Sequence, residues 1–257
     1  MDKQQYALYN GELITLEQAC IPITDKGYFF DFAIYDSIKV IQGKLFFPEY
    51  HVERLLESAR LLELDHPFAK EQIVAWYKEV ALKNKITDAL LRAVLIGDPD
   101  GGEAKIYIFP VTGVTYYPHG HYSKGVKVIT YRGERRVPQA KSKDLLLGFL
   151  GFREAQKQGA IDALLIDHSG NITEGTRSNI FAFRGNTLIT PPASKTLGGI
   201  TKKIVLDVAQ GQFEILEADI PLSEIKTYDE LLITSTSKNV MPIAQIDGET
   251  IFKPPFP

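Results

Sequence analysis

Four stretches of this sequence hold residues whose types and spacing suit chemistry. In Leu197-Gly198-Gly199-Ile200-Thr201-Lys202-Lys203, paired glycines precede an apolar helical run. Such glycines let backbone N–H groups come close to an anion. The helix start adds unpaired donors and a favourable dipole, and Thr201 adds a hydroxyl. The same pair also makes an ordinary loop. Pro138-Gln139-Ala140-Lys141-Ser142-Lys143-Asp144 offers two lysines. On a surface they are merely solvated; out of water, a lysine amine can attack a carbonyl. Asn171 to Phe181 sets Glu174 among small polar residues, as a hydrogen-bonded turn or as a carboxylate aimed at a cationic ring nitrogen. In Glu49-Tyr50-His51-Val52-Glu53-Arg54-Leu55, Arg54 edges an apolar helix face. It can pair along the helix or clamp a phosphate.

The elements that must hold these residues read as mixed α and β. Tyr6–Ile14 alternates as a strand, with Asn10-Gly11 as a hairpin turn signal. Tyr35–Ile41 reads as a strand with Tyr35, Ser37 and Lys39 on one face. Pro48 opens a helix, with Val52, Leu55, Leu56, Ala59 and Leu62 at helical spacing. A second helix spans about Lys70 to Lys85, and strands follow at Ala89–Ile96 and Lys105–Val111. Thr112 to Lys124 has no clean period and reads as an interdomain linker. Beyond it come a strand at Val126–Tyr131, a helix over Leu145–Gln158 and a strand at Asp162–Asp167. A strand pair surrounds Arg184-Gly185-Asn186, a helix starts after Gly199, and strands lie near Phe213–Ala218 and Glu230–Thr234. Hairpins in both halves argue against a purely parallel, doubly wound sheet. The expected division is a small N-terminal domain over 1–115, a linker over 112–124 and a larger domain over 122–257.

Composition excludes several classes. The 257 residues are 44% hydrophobic and 24% charged, which fits an ordinary globular chain. Lys and Arg number 29 against 32 Asp and Glu, so the formal charge is −3. Neither nucleic acid nor a membrane is an expected partner. The single cysteine, Cys20, and the lack of an apolar leader or a spanning-length apolar run suggest a soluble cytoplasmic protein. His119-Gly120-His121 has no third ligand close by in sequence, so no metal is expected.

Taken in order, eight segments resemble one family, the fold-type-IV (class IV) pyridoxal-phosphate-dependent aminotransferases. They are NGEL at 10–13, DKGYFF at 25–30, IYDSIKV at 34–40, HVERLLESA at 51–59, AKSKDLL at 140–146, ITEGTRSNIF at 172–181, LGGIT at 197–201 and TSTSKNVMPI at 234–243. The resemblance covers about Tyr6 to Gly248. It implies an α+β, two-domain fold and a homodimer with the active site between the domains. It implies pyridoxal 5'-phosphate as cofactor, and an amino acid and a 2-oxo acid as substrates. Lys141 matches the Schiff-base lysine. Glu174, 33 residues on (174 − 141), matches the carboxylate that pairs with the pyridinium nitrogen. Arg54, Gly199, Ile200, Thr201 and Thr236, with Ser235 beside it, match the phosphate-holding positions.

Tyr35, Ser37 and Lys39 fall where this family lines its substrate pocket. Tyr35 and Lys39 resemble the D-amino-acid branch, whereas branched-chain enzymes usually show Phe, Gly and Arg. Arg92, in Leu91-Arg92-Ala93, resembles the branched-chain pattern and is a candidate for the substrate carboxylate. Ser37 also matches a hydroxyl position of aminodeoxychorismate lyases, which keeps β-elimination open, as does a non-catalytic anion-binding protein. Two departures stand out. Asp31-Phe32-Ala33 replaces the usual Gly-Asp-Gly, and Phe252-Lys253-Pro254-Pro255-Phe256-Pro257 stands where relatives continue into a helix.

Overall fold

A computed structural model describes residues 4–111 and 113–251. Thr112 of the expected linker, Met1 to Lys3 and the Phe252–Pro257 tail lie outside the described residues. The chain folds as two compact units. The first holds residues 1–115 together with Ala140–Lys143, and the second holds 116–139 and 144–257.

In the first unit, β1 (Tyr6–Tyr9) and β2 (Glu12–Thr15) form a hairpin. Asn10 (φ 47°) and Gly11 (φ 96°) take up its left-handed turn. Then come α1 (Lys26–Phe29), β3 (Ala33–Ile41), β4 (Lys44–Leu45), α2 (Pro48–Leu61), α3 (Lys70–Lys83), β5 (Ala89–Ile96) and β6 (Lys105–Pro110). The sheet runs β2-β1-β6-β5-β3-β4, and every neighbouring pair is antiparallel. One sheet face packs on α2 and α3. Ile34, Ile38 and Val40 of β3 and Leu91, Ala93 and Leu95 of β5 meet Val52, Leu55, Ile73, Tyr77 and Val80, all buried. Burying a side chain of that size contributes about 1.5–3 kcal/mol. Strand period two then points Tyr35, Ser37 and Lys39 to the other face.

The second unit continues with α4 (His119–Ser123), β7 (Val126–Arg132), α5 (Leu146–Lys157), β8 (Asp162–Ile166), β9 (Asn171–Gly175), β10 (Asn179–Arg184) and β11 (Thr187–Thr190). After them come α6 (Ile200–Ala209), β12 (Glu214–Glu217), β13 (Ile220–Pro221), β14 (Glu230–Ser235), β15 (Asn239–Ile246) and β16 (Glu249–Thr250). The sheet order is β12-β11-β10-β14-β15-β7-β8-β9-β13, with β16 beside β15. Parallel pairs (β11 with β12, β15 with β7, β7 with β8) mix with antiparallel hairpins.

Three sequence readings need correction. The stretch read as an interdomain linker contains α4, entered from Pro118 at its N-cap, where the missing N–H costs no helical hydrogen bond. Asn171–Gly175, read as a turn, is strand β9 paired with β8 and β13. Its burial, not its polar composition, decides its conformation. β15 is absent from the expected strands, since it carries Pro242 within its length. No helix among the described residues is long and apolar enough to cross a membrane.

Gly27 tests the first unit's packing. A Cβ there would lie 2.0 Å from the Gly97 carbonyl oxygen and 2.6 Å from Ile96 Cγ2. A backbone oxygen cannot swing aside, so Gly27→Ala should destabilise the protein by about 1–3 kcal/mol. Urea unfolding measures the loss, and an unchanged midpoint would refute this close packing.

Candidate functional site

β3 carries the densest cluster of chemistry. On its helix-facing side Asp36 is fully buried, a polar residue between Ile34 and Ile38. Its Oδ2 accepts from Arg54 Nε at 2.8 Å and its Oδ1 from Arg54 Nη2 at 2.8 Å. The Ser37 N–H donates to Oδ1 at 2.7 Å, and His51 Nδ1 lies 2.7 Å from the same oxygen. A carboxylate only accepts, so Nδ1 carries the proton. Burial alone would raise the Asp36 carboxyl. Arg54 and His51 outweigh it and hold the group below the ordinary carboxylate range. The α2 arginine expected to serve phosphate is therefore aimed by a planar fork onto β3. Asp36 itself was missed; the signal was an acidic residue in phase with an apolar strand face.

Lys141 is fixed to the edge of β3 by its own backbone. The Tyr35 N–H donates to the Lys141 carbonyl at 3.0 Å, and the Lys143 N–H donates to the Ala33 carbonyl at 2.9 Å. Ser142 bridges Ile34 in antiparallel register. Buried Ser58 of α2 accepts from the Lys141 N–H at 3.0 Å and donates to the Arg54 carbonyl at 2.7 Å. One hydroxyl thus ties the lysine's backbone to the arginine's helix turn. The Lys141 Nζ lies 4.8 Å from the centre of the Tyr35 ring. Lys143 turns instead to Tyr28, at 5.2 Å.

The Tyr35 face gathers the other expected substrate residues. Ser37 and Arg92 are register partners on β3 and β5. Arg92 Nε donates to Ser37 Oγ at 3.1 Å, and its guanidinium lies 5.3 Å from the Tyr35 ring centre. Lys39 is buried, and desolvation pushes its amine down. On the helix side, the Tyr77 hydroxyl accepts from the Ala93 N–H at 3.0 Å and donates to the Asp36 carbonyl at 3.3 Å.

The second unit assembles its own set. Glu174 on β9 is 5% exposed. Its Oε2 accepts from the Leu197 N–H at 3.2 Å, and its Oε1 from Arg135 Nη1 at 3.4 Å. Arg135, another residue missed from sequence, compensates the buried carboxylate. Leu197 leads into Gly199, which caps α6 without any side-chain hydrogen bond. The helix start therefore keeps N–H donors that its own cap does not take. Gly199 is also required by packing. A Cβ there would lie 1.9 Å from Asn179 Oδ1, while the Asn179 Nδ2 donates to the Leu197 carbonyl at 2.8 Å. Close approach of Asn179 explains this glycine as directly as anion access does. Asn179 pairs with Thr234 on β14, next to the hairpin of Ser235 and Thr236. In that hairpin Ser235 Oγ accepts from the Lys238 N–H at 3.1 Å. On α6, Lys202 is buried, with its Nζ 3.3 Å from the Pro191 carbonyl and from Thr196 Oγ1, and desolvation lowers its amine.

Comparison with known proteins adds a family. A model described as "Amino-transferase class IV" matches residues 33–246. A D-alanine aminotransferase of Staphylococcus epidermidis is 31% identical over 256 residues, covering 94% of this chain and 89% of that protein. A branched-chain aminotransferase of Thermoproteus uzoniensis, solved with norvaline, superposes with a TM-score of 0.86 at 25% identity, covering 96% of this chain and 89% of that one. The fold also matches the branched-chain amino acid aminotransferase of Escherichia coli, with a TM-score of 0.87 at 22% identity, over 97% of this chain and 89% of that chain.

Asp36→Asn should destabilise the protein by about 3–5 kcal/mol, because it leaves the Arg54 charge without its partner. The wild-type Asp36 carboxyl is held low in the fold. Its contribution is therefore present above the unfolded value of about 3.9 and lost on acidification below it. Denaturant unfolding between about pH 3 and pH 7 should show less acid dependence in the variant than in the wild type. Parallel profiles at equal stability would remove Asp36 from this role.

Proposed function

Because the chain belongs to the class IV aminotransferase family, we propose that it moves an amino group between an α-amino acid and a 2-oxo acid with pyridoxal 5'-phosphate. D-amino acids are its first substrates and branched-chain L-amino acids its second. The observation that carries this reading is Lys141, held by backbone bonds to β3 and Ser58 with its amine over Tyr35.

The donor set fits the cofactor's three needs. An amine must hold it, and Lys141 supplies one beside an aromatic ring. A buried carboxylate must face its cationic ring nitrogen; Glu174, fixed by Leu197 and Arg135, is such a group. Its phosphate needs cations and N–H or O–H donors. The uncapped Gly199–Ile200–Thr201 helix start and the hydroxyls of Ser235 and Thr236 supply donors, and Arg54, with Nε and Nη2 held by Asp36, would add the outer edge of its guanidinium. When bound, pyridoxal phosphate supplies an electron sink for charge at the substrate α-carbon. Lys141 Nζ, as a free amine, would be the base that takes the proton from the substrate α-carbon and, as the ammonium, the acid that returns a proton to the α-carbon in the reverse half of the exchange. Arg92, oriented by Ser37 and Tyr35, receives the substrate carboxylate, and Tyr35, Ser37 and Lys39 line the substrate's course.

Transamination, rather than β-elimination, is the activity named for the relatives, and Tyr35 with Lys39 favours the D-amino-acid branch. A homodimer completes the reading. Exposed Ile23, Phe29 and Phe30 give the first unit apolar surface that a second copy would cover. We place the enzyme in the cytoplasm, where the single exposed Cys20 stays a thiol.

The purified protein should show visible absorption that bleaches with D-alanine and more slowly with L-leucine. Bleaching by L-leucine alone would reverse the substrate order. No absorption even after incubation with pyridoxal 5'-phosphate would overturn the reading. Lys141→Ala should abolish turnover, and normal activity there would remove Lys141 from its role. Glu174→Gln should slow turnover by about 100-fold or more, the scale of lost proton-transfer assistance, while binding weakens far less. An unchanged rate would remove Glu174.

A further inference from the structure

Asp162, the first residue of β8, is fully buried and takes no part in the chemistry assigned to the site. Its Oδ1 accepts from the Ala163 N–H at 2.9 Å and from Thr176 Oγ1 at 2.5 Å. Its Oδ2 accepts from Ser178 Oγ at 2.8 Å and pairs with Lys238 Nζ at 3.1 Å. Lys238 is itself 2% exposed. The three side-chain partners come from two separate turns. Thr176 and Ser178 belong to the turn that directly follows Glu174, closed by the Gly175 N–H donating to the Ser178 carbonyl at 2.7 Å. Lys238 belongs to the β14–β15 hairpin, right after Ser235-Thr236-Ser237, and its own N–H donates to Ser235 Oγ. Gly175 leaves no slack, since a Cβ there would lie 2.2 Å from Ser178 Oγ and 3.1 Å from Asp162 Oδ2.

Resting on the assignment of pyridoxal phosphate to this site, we propose that the buried Asp162–Lys238 pair is a positioning device that sets the Ser235–Thr236 turn for the cofactor's phosphate and locks it to the turn that holds Glu174. Both residues act through others. Lys238 reaches the phosphate turn through its backbone and through Ser235, and Asp162 reaches Glu174 through the Gly175–Ser178 turn. A charge pair out of water persists only with close, complete partners. The hairpin is thereby held at one depth, where loosely placed hydroxyls would give a less exact phosphate cradle.

The test compares pyridoxal 5'-phosphate with pyridoxal, which lacks the phosphate, on the full-length chain stripped of cofactor. Binding is followed by absorption. Lys238→Met leaves Asp162 its three other donors, Ala163 N–H, Thr176 Oγ1 and Ser178 Oγ, to offset part of the lost charge. Its preference for the phosphorylated form should fall about 10-fold or more, the scale on which residues one contact removed from a ligand act. Pyridoxal affinity should stay near wild type, and Lys238→Arg should restore much of the preference. Asp162→Asn should weaken both ligands, because it also loosens the turn behind Glu174. An unchanged preference in Lys238→Met, or equal losses for both ligands there, would overturn the proposal and leave the pair a purely structural one. If Lys238→Met does not fold, the double variant Asp162→Asn/Lys238→Met, which buries no lone charge, is compared with Asp162→Asn alone; its preference for the phosphorylated form should fall below that of the single variant, and an equal preference would overturn the proposal. A wild-type chain with no preference for the phosphorylated form would instead overturn the cofactor reading.

Discussion

Asp36 remains ionised at zero exposure only because four donors converge on two oxygens. Moving a carboxylate out of water costs several kcal/mol even after the protein relaxes. Arg54, His51 and the Ser37 N–H offset that cost by direct contact. The geometry of the first unit follows from this clamp. An arginine forked onto β3 fixes the rotation of α2 about its own axis. That rotation sets Ser58, one helical turn on, against the Lys141 N–H. The lysine's place on the strand edge is thus a consequence of where a buried carboxylate found its partners. The second unit repeats the device with different parts, Asp162 collecting two hydroxyls, a backbone N–H and Lys238.

Strand alternation divides the labour. Along β3, Ile34, Asp36, Ile38 and Val40 face the helices, while Tyr35, Ser37 and Lys39 face the other way. The same nine residues therefore build the core and display the face that carries Tyr35, Ser37 and Lys39. A one-residue slip in register would exchange the two sets. The pairing with β5 prevents it, because Ser37 meets Arg92 and Tyr35 meets Val94 across the ladder. The Arg92–Ser37 bond is a product of that register, not of any local sequence preference.

Much of this was legible in the sequence where local physics decides. Pro48 and the apolar spacing after it mark α2; Asn10-Gly11 marks the first hairpin; the glycines before Ile200 mark the start of α6. The candidate residues on β3 were readable because period two is a property of any strand. The illegible parts all depend on distant partners. β9 looks like a polar turn until β8 and β13 bury it. Arg135 gains its role only by meeting Glu174, 39 positions later. Asp36 reads as a surface acid until Arg54 and His51 are folded against it. Gly199 reads as an anion loop, whereas the Asn179 side chain supplies a second reason for it.

The contrast between family and substrate has the same root. In the proposed function, family-level chemistry would rest on a lysine, a carboxylate and a helix start, held largely by backbone bonds that tolerate many sequences. Substrate choice would, on the same proposal, rest on side-chain contacts such as Arg92 on Ser37 and its approach to Tyr35. Each such contact carries on the order of 1–3 kcal/mol of discrimination, so one or two of them separate related substrates. On that proposal a chain could share its reaction with relatives at 31% identity while a few residues on one strand face set its preferred amino acid. Ser37 shows how fine that control is. Its hydroxyl holds Arg92 Nε at 3.1 Å, and a glycine there would release the guanidinium to swing; with Arg92 in its proposed role, that would change the angle at which a carboxylate is met without touching the lysine.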